Sequence, residues 1–190
     1  MKTNLNYDMF VPTRTLFGAG TLNELHAQPM PGRKALLVIS NGRSTRANSY
    51  LSRTEEQLRM AGVETVLFDR VEANPLKSTV MAGGAMAREN GCDMIVALGG
   101  GSVMDAAKAI AVVASNGGDY WDYIPCGTGK GKAVAETPLP IVAITTTAGT
   151  GSETDAGCVI TNAETHEKTG FVHPGLFPAV SYTHLRAHET

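Results

Sequence analysis

The most constraining feature of this sequence is a series of short apolar runs that alternate with segments of helical character. Three of the four runs show no alternation of polar and apolar residues, which is typical of strands covered on both faces. The first three recur at roughly 30 residues, the length of one strand–helix–strand step. We therefore predict an α/β fold with a doubly wound, mostly parallel, Rossmann-like sheet. The runs span residues 35–39, 65–68, 94–98 and 141–144.

The segments between the runs repeat their apolar residues with helical spacing. Residues 51–61 and 76–90 are each followed by a glycine, which suits the left-handed cap of a helix. Residues 102–115 are apolar almost all round, with Lys108 as the only central charge, and this pattern predicts an interior helix.

The composition excludes several classes of function. Only 18% of the 190 residues are charged, against about 25% in typical soluble domains, and the net charge is −2. Because the chain has no run of Lys or Arg, we expect it to bind neither nucleic acid nor a membrane surface. No window approaches the ~20 apolar residues of a membrane span, and the first residues lack the apolar stretch of a secretory signal. A surface so poor in charge suits a chain that buries much of its surface in a large domain or in an oligomer, and we expect a homo-oligomer.

The cysteines point to a cellular compartment. The three cysteines cannot all pair and lack CxxC spacing, so we expect buried free thiols in a reducing environment. The sequence therefore predicts a cytoplasmic protein. The cysteines are Cys92, Cys126 and Cys158.

The strongest candidate site is a triglycine turn, residues 99–101, between an apolar run and the interior helix. Glycines let the backbone approach a ligand closely, and a helix N-terminus favours a phosphate. Ser102 and Asp105 have the spacing of a capping box at this helix. The turn is not the common GxGxxG fingerprint, which would need glycine at Met104.

A hydroxyl-rich stretch, residues 145–157, directly follows the last apolar run. Ligands of open parallel sheets sit at the carboxyl ends of the strands, where small hydroxyl residues can bind phosphate or ribose. After the first run, Arg43 and Arg46 occur without an acidic residue, which favours NADP over NAD.

Two further segments have simpler interpretations. Residues 117–132 are predicted to form a polar surface loop or flap, whose glycines do not match a P-loop because Gly131 stands where Ser or Thr is needed. Residues 158–162 and 168–172 are predicted to pair as a hairpin.

Four motifs, in this order, make the chain resemble the iron-containing (group III) alcohol dehydrogenases. The resemblance runs from about Phe10 to Ser181, and it is most specific in the triglycine and threonine motifs. The chain is similar to the N-terminal nucleotide-binding domain of that family, which we assign to residues 1–181. The motifs are residues 12–20 (PTRTLFGAG), 71–75 (VEANP), 97–108 (ALGGGSVMDAAK) and 146–153 (TTAGTGSE).

The resemblance implies a set of cofactor-binding residues. In relatives the triglycine motif cradles the pyrophosphate, the threonine motif lines the ribose and nicotinamide side, and the asparagine of the VEANP motif lies near the reacting centre. The residues at these positions are Gly100, Gly101, Ser102, Val103, Asp105, Thr146, Thr147, Thr150 and Asn74. Val159 and Lys168 match further cofactor contacts, and Ser40 falls where NAD-using members carry an acid, which again favours NADP.

The reaction implied by the resemblance is reversible hydride transfer between a primary or short-chain alcohol, or its aldehyde, and NAD or NADP. In the family a divalent metal, Fe²⁺ or Zn²⁺, polarises the alcohol oxygen. Its one Asp and three His ligands belong to a helical C-terminal domain, which we expect to be absent from this sequence. We therefore assign no catalytic or metal-binding residue, and predict little or no dehydrogenase activity for the chain alone.

Residues 182–190 resemble nothing in the family, so we interpret them as a non-native tail outside the fold. His184 and His188 within it have the spacing of a zinc pair on a helix, but no third ligand is evident.

Two alternatives stay open. One is a glycerol dehydrogenase-like or dehydroquinate synthase-like relative, which would share the sheet and the glycine turn. The other is a non-catalytic nucleotide-binding or structural fragment.

Overall fold

Six parallel strands form the central sheet of the computed structural model, which describes residues 10–183. Their order is β1-β8-β5-β4-β2-β3, and every neighbouring pair is parallel, as predicted. The strands are β1 Arg14–Phe17, β2 Lys34–Ser40, β3 Glu64–Val71, β4 Met94–Gly99, β5 Ile141–Thr145 and β8 Val180–Thr183.

Helices cover both faces of this sheet, which makes the fold doubly wound. Alternate residues of β2 enter different cores: Leu36 and Val38 pack with α3 and α4, whereas Leu37 packs with α2. Because both sides of the strand are buried, the sequence shows an unbroken apolar run. The helices are α1 Ser44–Ala47, α2 Tyr50–Met60, α3 Lys77–Glu89 and α4 Gly101–Asn116, with short 3-10 helices at Thr21–Ala27, Tyr120–Tyr123 and Pro174–Leu176. Within residues 10–183, no helix is both long and apolar enough to cross a membrane.

Helix α4 is the interior helix that the sequence predicts. Its residues from Val103 to Val113 are almost entirely buried, and Lys108 is 0% exposed. α3 packs closely against it through Gly83 and Gly84, which face Ile110 and Val113. α4 therefore holds a fixed position between the sheet and α3, and its first turn lies at the carboxyl edge of the sheet.

The segment after α4 is only in part the surface loop that the sequence predicts, since residues 125–132 are almost all exposed but the residues before them are not. Tyr120, Trp121, Tyr123 and Ile124 are all buried in the core beside α4. The rest of the segment is joined to the hairpin by Glu167, which accepts hydrogen bonds from both the backbone N–H and the hydroxyl of Thr128. The prediction is therefore wrong for residues 120–124, whose aromatic side chains anchor the segment in the core, and correct for the exposed residues that follow.

The predicted hairpin is present as β6 Gly157–Asn162 and β7 Glu167–Val172, an antiparallel pair separate from the main sheet. Its inner side packs into the α4 core through Ile160 and Phe171. The backbone N–H of Thr161 also donates to the carbonyl of Pro75 at 2.9 Å. The hairpin thus closes over the start of α3.

Two predictions about individual residues are corrected by the structure. Tyr182 and Thr183, which the sequence analysis excluded from the fold, belong to β8 and are buried between β1 and β5. The predicted tail beyond them, including His184 and His188, lies outside the described residues. Cys126 is exposed, whereas Cys92 and Cys158 are buried as expected.

Candidate dinucleotide-binding site

The candidate site lies at the carboxyl ends of β2, β4 and β5, which are neighbours in the sheet. Each of these strands ends at one of the segments singled out from the sequence. Ser40 is the last residue of β2, the triglycine turn begins at the end of β4, and the threonine loop, residues 146–156, follows β5. The backbone N–H of Thr146 donates to the carbonyl of Gly99 at 3.0 Å, which joins the last two loops. The structure therefore brings together the two most specific motifs.

The triglycine turn leads directly into α4. Gly100 is the N-cap residue, and no side chain caps the helix. The predicted capping box of Ser102 and Asp105 is therefore wrong, because the helix begins two residues earlier than that box requires and Asp105 has other partners. An uncapped helix N-terminus in a polar cleft offers backbone N–H groups and a partial positive charge to an anion.

Each glycine of the turn meets a steric limit. A Cβ on Gly99 would lie 2.6 Å from a methyl carbon of Val103, so the strand and α4 could not pack as they do. A Cβ on Gly100 would lie 3.1 Å from the hydroxyl oxygen of Thr147, and one on Gly101 would lie 3.0 Å from the methyl carbon of Thr150. The turn and the threonine loop can therefore lie this close together only because glycine has no side chain.

The carboxylate of Asp105 forms hydrogen bonds with the threonine loop and the hairpin and does not cap its own helix. The hydroxyl of Ser152 donates to its Oδ1 at 2.8 Å, and the backbone N–H of Val159 donates to its Oδ2 at 3.0 Å. Burial raises the pKa of the Asp105 carboxyl above its ordinary value, while these two hydrogen bonds oppose the shift. The carboxylate therefore links α4 to the threonine loop and to the hairpin.

Lys108, one turn further along α4, makes a second link to the same segment. Its buried Nζ donates to Oδ1 of Asp155 at 2.6 Å, to the carbonyl of Gly157 at 2.8 Å and to the hydroxyl of Ser152 at 3.3 Å. The side chain of Asp155 is 53% exposed, so this ion pair reaches from the core to the surface of the cleft. The sequence shows this lysine as a lone charge in an apolar helix. Its position three residues after Asp105, on the same face of the helix, was the signal that it could share partners with that residue.

Asn74 and Lys168 meet although they are far apart in the sequence. Nζ of Lys168 donates to the side-chain oxygen of Asn74 at 2.7 Å. Asn74 adopts a left-handed backbone conformation with φ 56°, which asparagine tolerates better than most residues. The two predicted contacts therefore form one polar unit, with the hairpin side chain placed over the turn before α3.

Two cavities border the loops. The larger, about 450 Å³, lies between the start of α4 and the hairpin and is within the size range of ligand pockets. Its lining includes Gly101, Ser102, Asp105, Thr150, Val159 and Val172. The smaller, about 200 Å³, is lined by Ser44, Thr45, Asn48, Tyr50, Thr146 and Thr147.

Thr45 is one of the residues that line the smaller cavity. Oγ1 of Thr45 is buried without a hydrogen-bond partner among the described residues. Ser40 lies at the same sheet edge but lines neither cavity. Of the two nearby arginines, Arg46 forms an ion pair with Asp69 at 2.7 Å. The positive charge of Arg46 is therefore partly neutralised by Asp69, which lies on β3.

The part of the chain that the structure describes holds no group of three or more His, Cys, Asp or Glu residues placed to bind a metal ion. Residues 10–183 therefore do not fit the metal that the sequence resemblance implies, and we derive no chemical step through a metal.

A comparison with protein families gives a match over residues 12–184 to the family described as iron-containing alcohol dehydrogenase. Among curated proteins, the chain is 38% identical over 176 residues to a probable NADH-dependent butanol dehydrogenase of Bacillus subtilis, covering 93% of this chain and 44% of that protein. It is 39% identical over 178 residues to a 1,3-propanediol dehydrogenase of Klebsiella pneumoniae, covering 92% and 44%.

Among solved structures, an archaeal alcohol dehydrogenase from a Red Sea brine pool superposes with a TM-score of 0.86 at 38% identity. The match covers 95% of this chain and 46% of that one. The chain thus spans less than half the length of the relatives that it matches.

Proposed function

Since the chain belongs to the iron-containing alcohol dehydrogenase family, we propose that it forms the dinucleotide-binding half of an enzyme that interconverts alcohols and aldehydes. The observation that carries this proposal is the narrow cleft between the triglycine turn and the threonine loop at the N-terminus of α4. Such a cleft suits a diphosphate, which needs close backbone approach and a positive helix end.

Each side of the cleft has a proposed role. The backbone of Gly100, Gly101, Ser102 and Val103 would hold the diphosphate at the first turn of α4. Thr146, Thr147 and Thr150 would bind the riboses and the nicotinamide side. Asn74 and Lys168, already joined by a hydrogen bond, would face the nicotinamide end together with Val159. When bound, the nicotinamide supplies the hydride chemistry, and these residues position it.

The sequence and the structure favour different cofactors. The sequence favours NADP, because Ser40 replaces an acid and arginines follow it. Two observations support NAD instead: the name of the Bacillus subtilis relative specifies NADH, and Arg46 is already paired with Asp69. We infer that NADH binds more tightly than NADPH.

The metal, the substrates and the assembly concern the whole protein. Iron is the metal that the family's description names, so iron is proposed ahead of zinc, with ligands outside residues 10–183. Small alcohols and aldehydes are the proposed substrates, since relatives act on butanol and 1,3-propanediol according to their names. A homo-oligomer in the cytoplasm stays a prediction, as does the lack of activity of this chain alone.

Titration with NADH and NADPH, followed by cofactor fluorescence, tests the proposal. The wild-type protein should bind both, NADH more tightly. Gly100→Val should abolish binding, because its side chain would fill the space next to Thr147. Lys130→Ala, which removes only a surface ion pair with Asp122, should bind like the wild type. Failure to bind either cofactor at millimolar concentration would favour a structural fragment.

A further inference from the structure

One face of α4 carries two charged side chains that the proposed cofactor contacts leave out. We propose that Asp105 and Lys108 are positioning residues, which hold residues 150–159 against the triglycine turn and so fix the nicotinamide-side wall of the cleft. This inference rests on the proposed function. It also changes the role expected for Asp105, which the family resemblance placed among the diphosphate contacts.

The hydrogen bonds of Asp105 leave it poorly suited to contact a diphosphate. Each carboxylate oxygen already accepts a hydrogen bond, one from the Ser152 hydroxyl and one from the Val159 N–H. A carboxylate beside a diphosphate would also repel it, because like charges at close range are unfavourable. The same group gains from fastening the polypeptide that forms the opposite side of the cleft.

The ammonium of Lys108 is equally committed. An ammonium group has three hydrogen-bond donors, and this buried one finds three acceptors, on Asp155, Gly157 and Ser152. A buried charge is tolerated only when it is paired in this way. Ser152 connects the two charged residues, since its hydroxyl accepts from Lys108 and donates to Asp105.

The two charged residues fasten one side of the cleft and not the other. Thr146 is held independently, because it follows β5 and its N–H bonds to Gly99. Thr150, by contrast, lies next to Ser152, whose N–H donates to its hydroxyl at 3.3 Å. Loosening Asp105 should therefore affect Thr150, Val159 and the hairpin, while the diphosphate turn and Thr146 stay in place.

The test is the affinity of Asp105→Asn for two ligands, NADH and ADP. Asparagine has the same shape but is neutral. Its carbonyl oxygen can still accept from Val159, but its amide group faces Ser152 as a donor, so the hydroxyl of Ser152 can no longer donate to a charged oxygen. Replacing these charge-assisted hydrogen bonds by weaker neutral ones should raise the Kd for NADH about tenfold. ADP lacks the nicotinamide half, so its Kd should change less than about twofold. Ser152→Ala should also raise the Kd for NADH, by a smaller factor than Asp105→Asn, and should leave the Kd for ADP nearly unchanged.

A matched control is Glu89→Gln, which removes one negative charge from the exposed end of α3 and should leave both affinities unchanged. Hydrogen exchange without cofactor gives a second readout: the Val159 amide should exchange faster in Asp105→Asn than in the wild type. An unchanged exchange rate at Val159 overturns the inference whatever the cofactor result.

The other outcomes are also decisive. Equal changes of both affinities would indicate direct contact of Asp105 with the diphosphate, and no change in either would exclude the positioning role. If the wild type binds neither ligand, the proposed function itself fails; if it binds both and Asp105→Asn is unaffected, only the positioning role fails.

Discussion

Gly84 is a point where α3 lies very close to α4, and one added methyl group tests how tightly the two helices pack. A Cβ on Gly84 would lie 2.7 Å from Cγ1 and 3.0 Å from Cβ of Val113, well inside the ~3.5–4.0 Å of a normal carbon contact. Val113 is fully buried, and a β-branched side chain in a helix has essentially one rotamer. The valine cannot turn away, so the helices must separate.

Two opposing effects set the size of the change in Gly84→Ala. Alanine is more favourable than glycine in a helix interior by about 1 kcal/mol. Overpacking a core costs about 1–3 kcal/mol, and the upper half of that range applies because the Cβ of Val113, fixed to its backbone, is itself too close. We expect a net loss of about 1–2 kcal/mol in the free energy of unfolding.

Urea unfolding followed by circular dichroism measures this loss, and a double-mutant cycle identifies its cause. Val113→Ala alone removes buried methyl groups and should also destabilise the protein. In the double variant the new methyl group enters the space that Val113 vacates. The stability loss of the double variant should therefore be smaller than the sum of the two single losses by about 1 kcal/mol. A Gly84→Ala protein at least as stable as the wild type, or strict additivity, would refute the reasoning.

Two further predictions concern pH and thiol chemistry. Hydrogen bonds, above all from the Thr128 hydroxyl, lower the pKa of Glu167 from 4.5 to about 2. Its contribution to stability is therefore present above pH 4.5 and lost as the pH falls towards 2; urea midpoints should decline less over that window in Glu167→Gln, and an identical decline would contradict this. Cys126 is exposed whereas burial raises the pKa of Cys158 to about 12, so a thiol reagent should modify Cys126 quickly; a fast phase that survives Cys126→Ser would disprove this.

The central sheet could be predicted from the sequence because the pattern and the environment agree. β2, β4 and β5 are buried on both faces, and their apolar runs reflect it directly. β1 and β8 gave no such signal: β1 is largely exposed, and its pairing depends on β8, which is more than 160 residues away in the sequence. Strands whose partners are distant in sequence carry little local information.

The location of the site in the sheet could be predicted from the sequence, but the hydrogen-bond partners of its side chains could not. The turn after β4 and the loop after β5 were expected at one edge because parallel strands end together. The hydrogen bonds of Asp105 were not, since Ser102 and Asp105 have the same spacing whether the carboxylate caps its helix or reaches the hairpin. The pairing of Lys108 with Asp155 likewise depends on tertiary structure.

The position of β8 between β1 and β5 has a consequence for biosynthesis. Among the strands of residues 10–183, β1 is the first to leave the ribosome and pairs with β8 alone, so its hydrogen-bonding groups stay open until residues 180–183 have emerged. During that interval β1 is an unpaired strand and β5 is an open sheet edge, and other nascent chains could join either of them. Slow translation near residue 180 would therefore prolong the period in which this protein is most prone to misassociation.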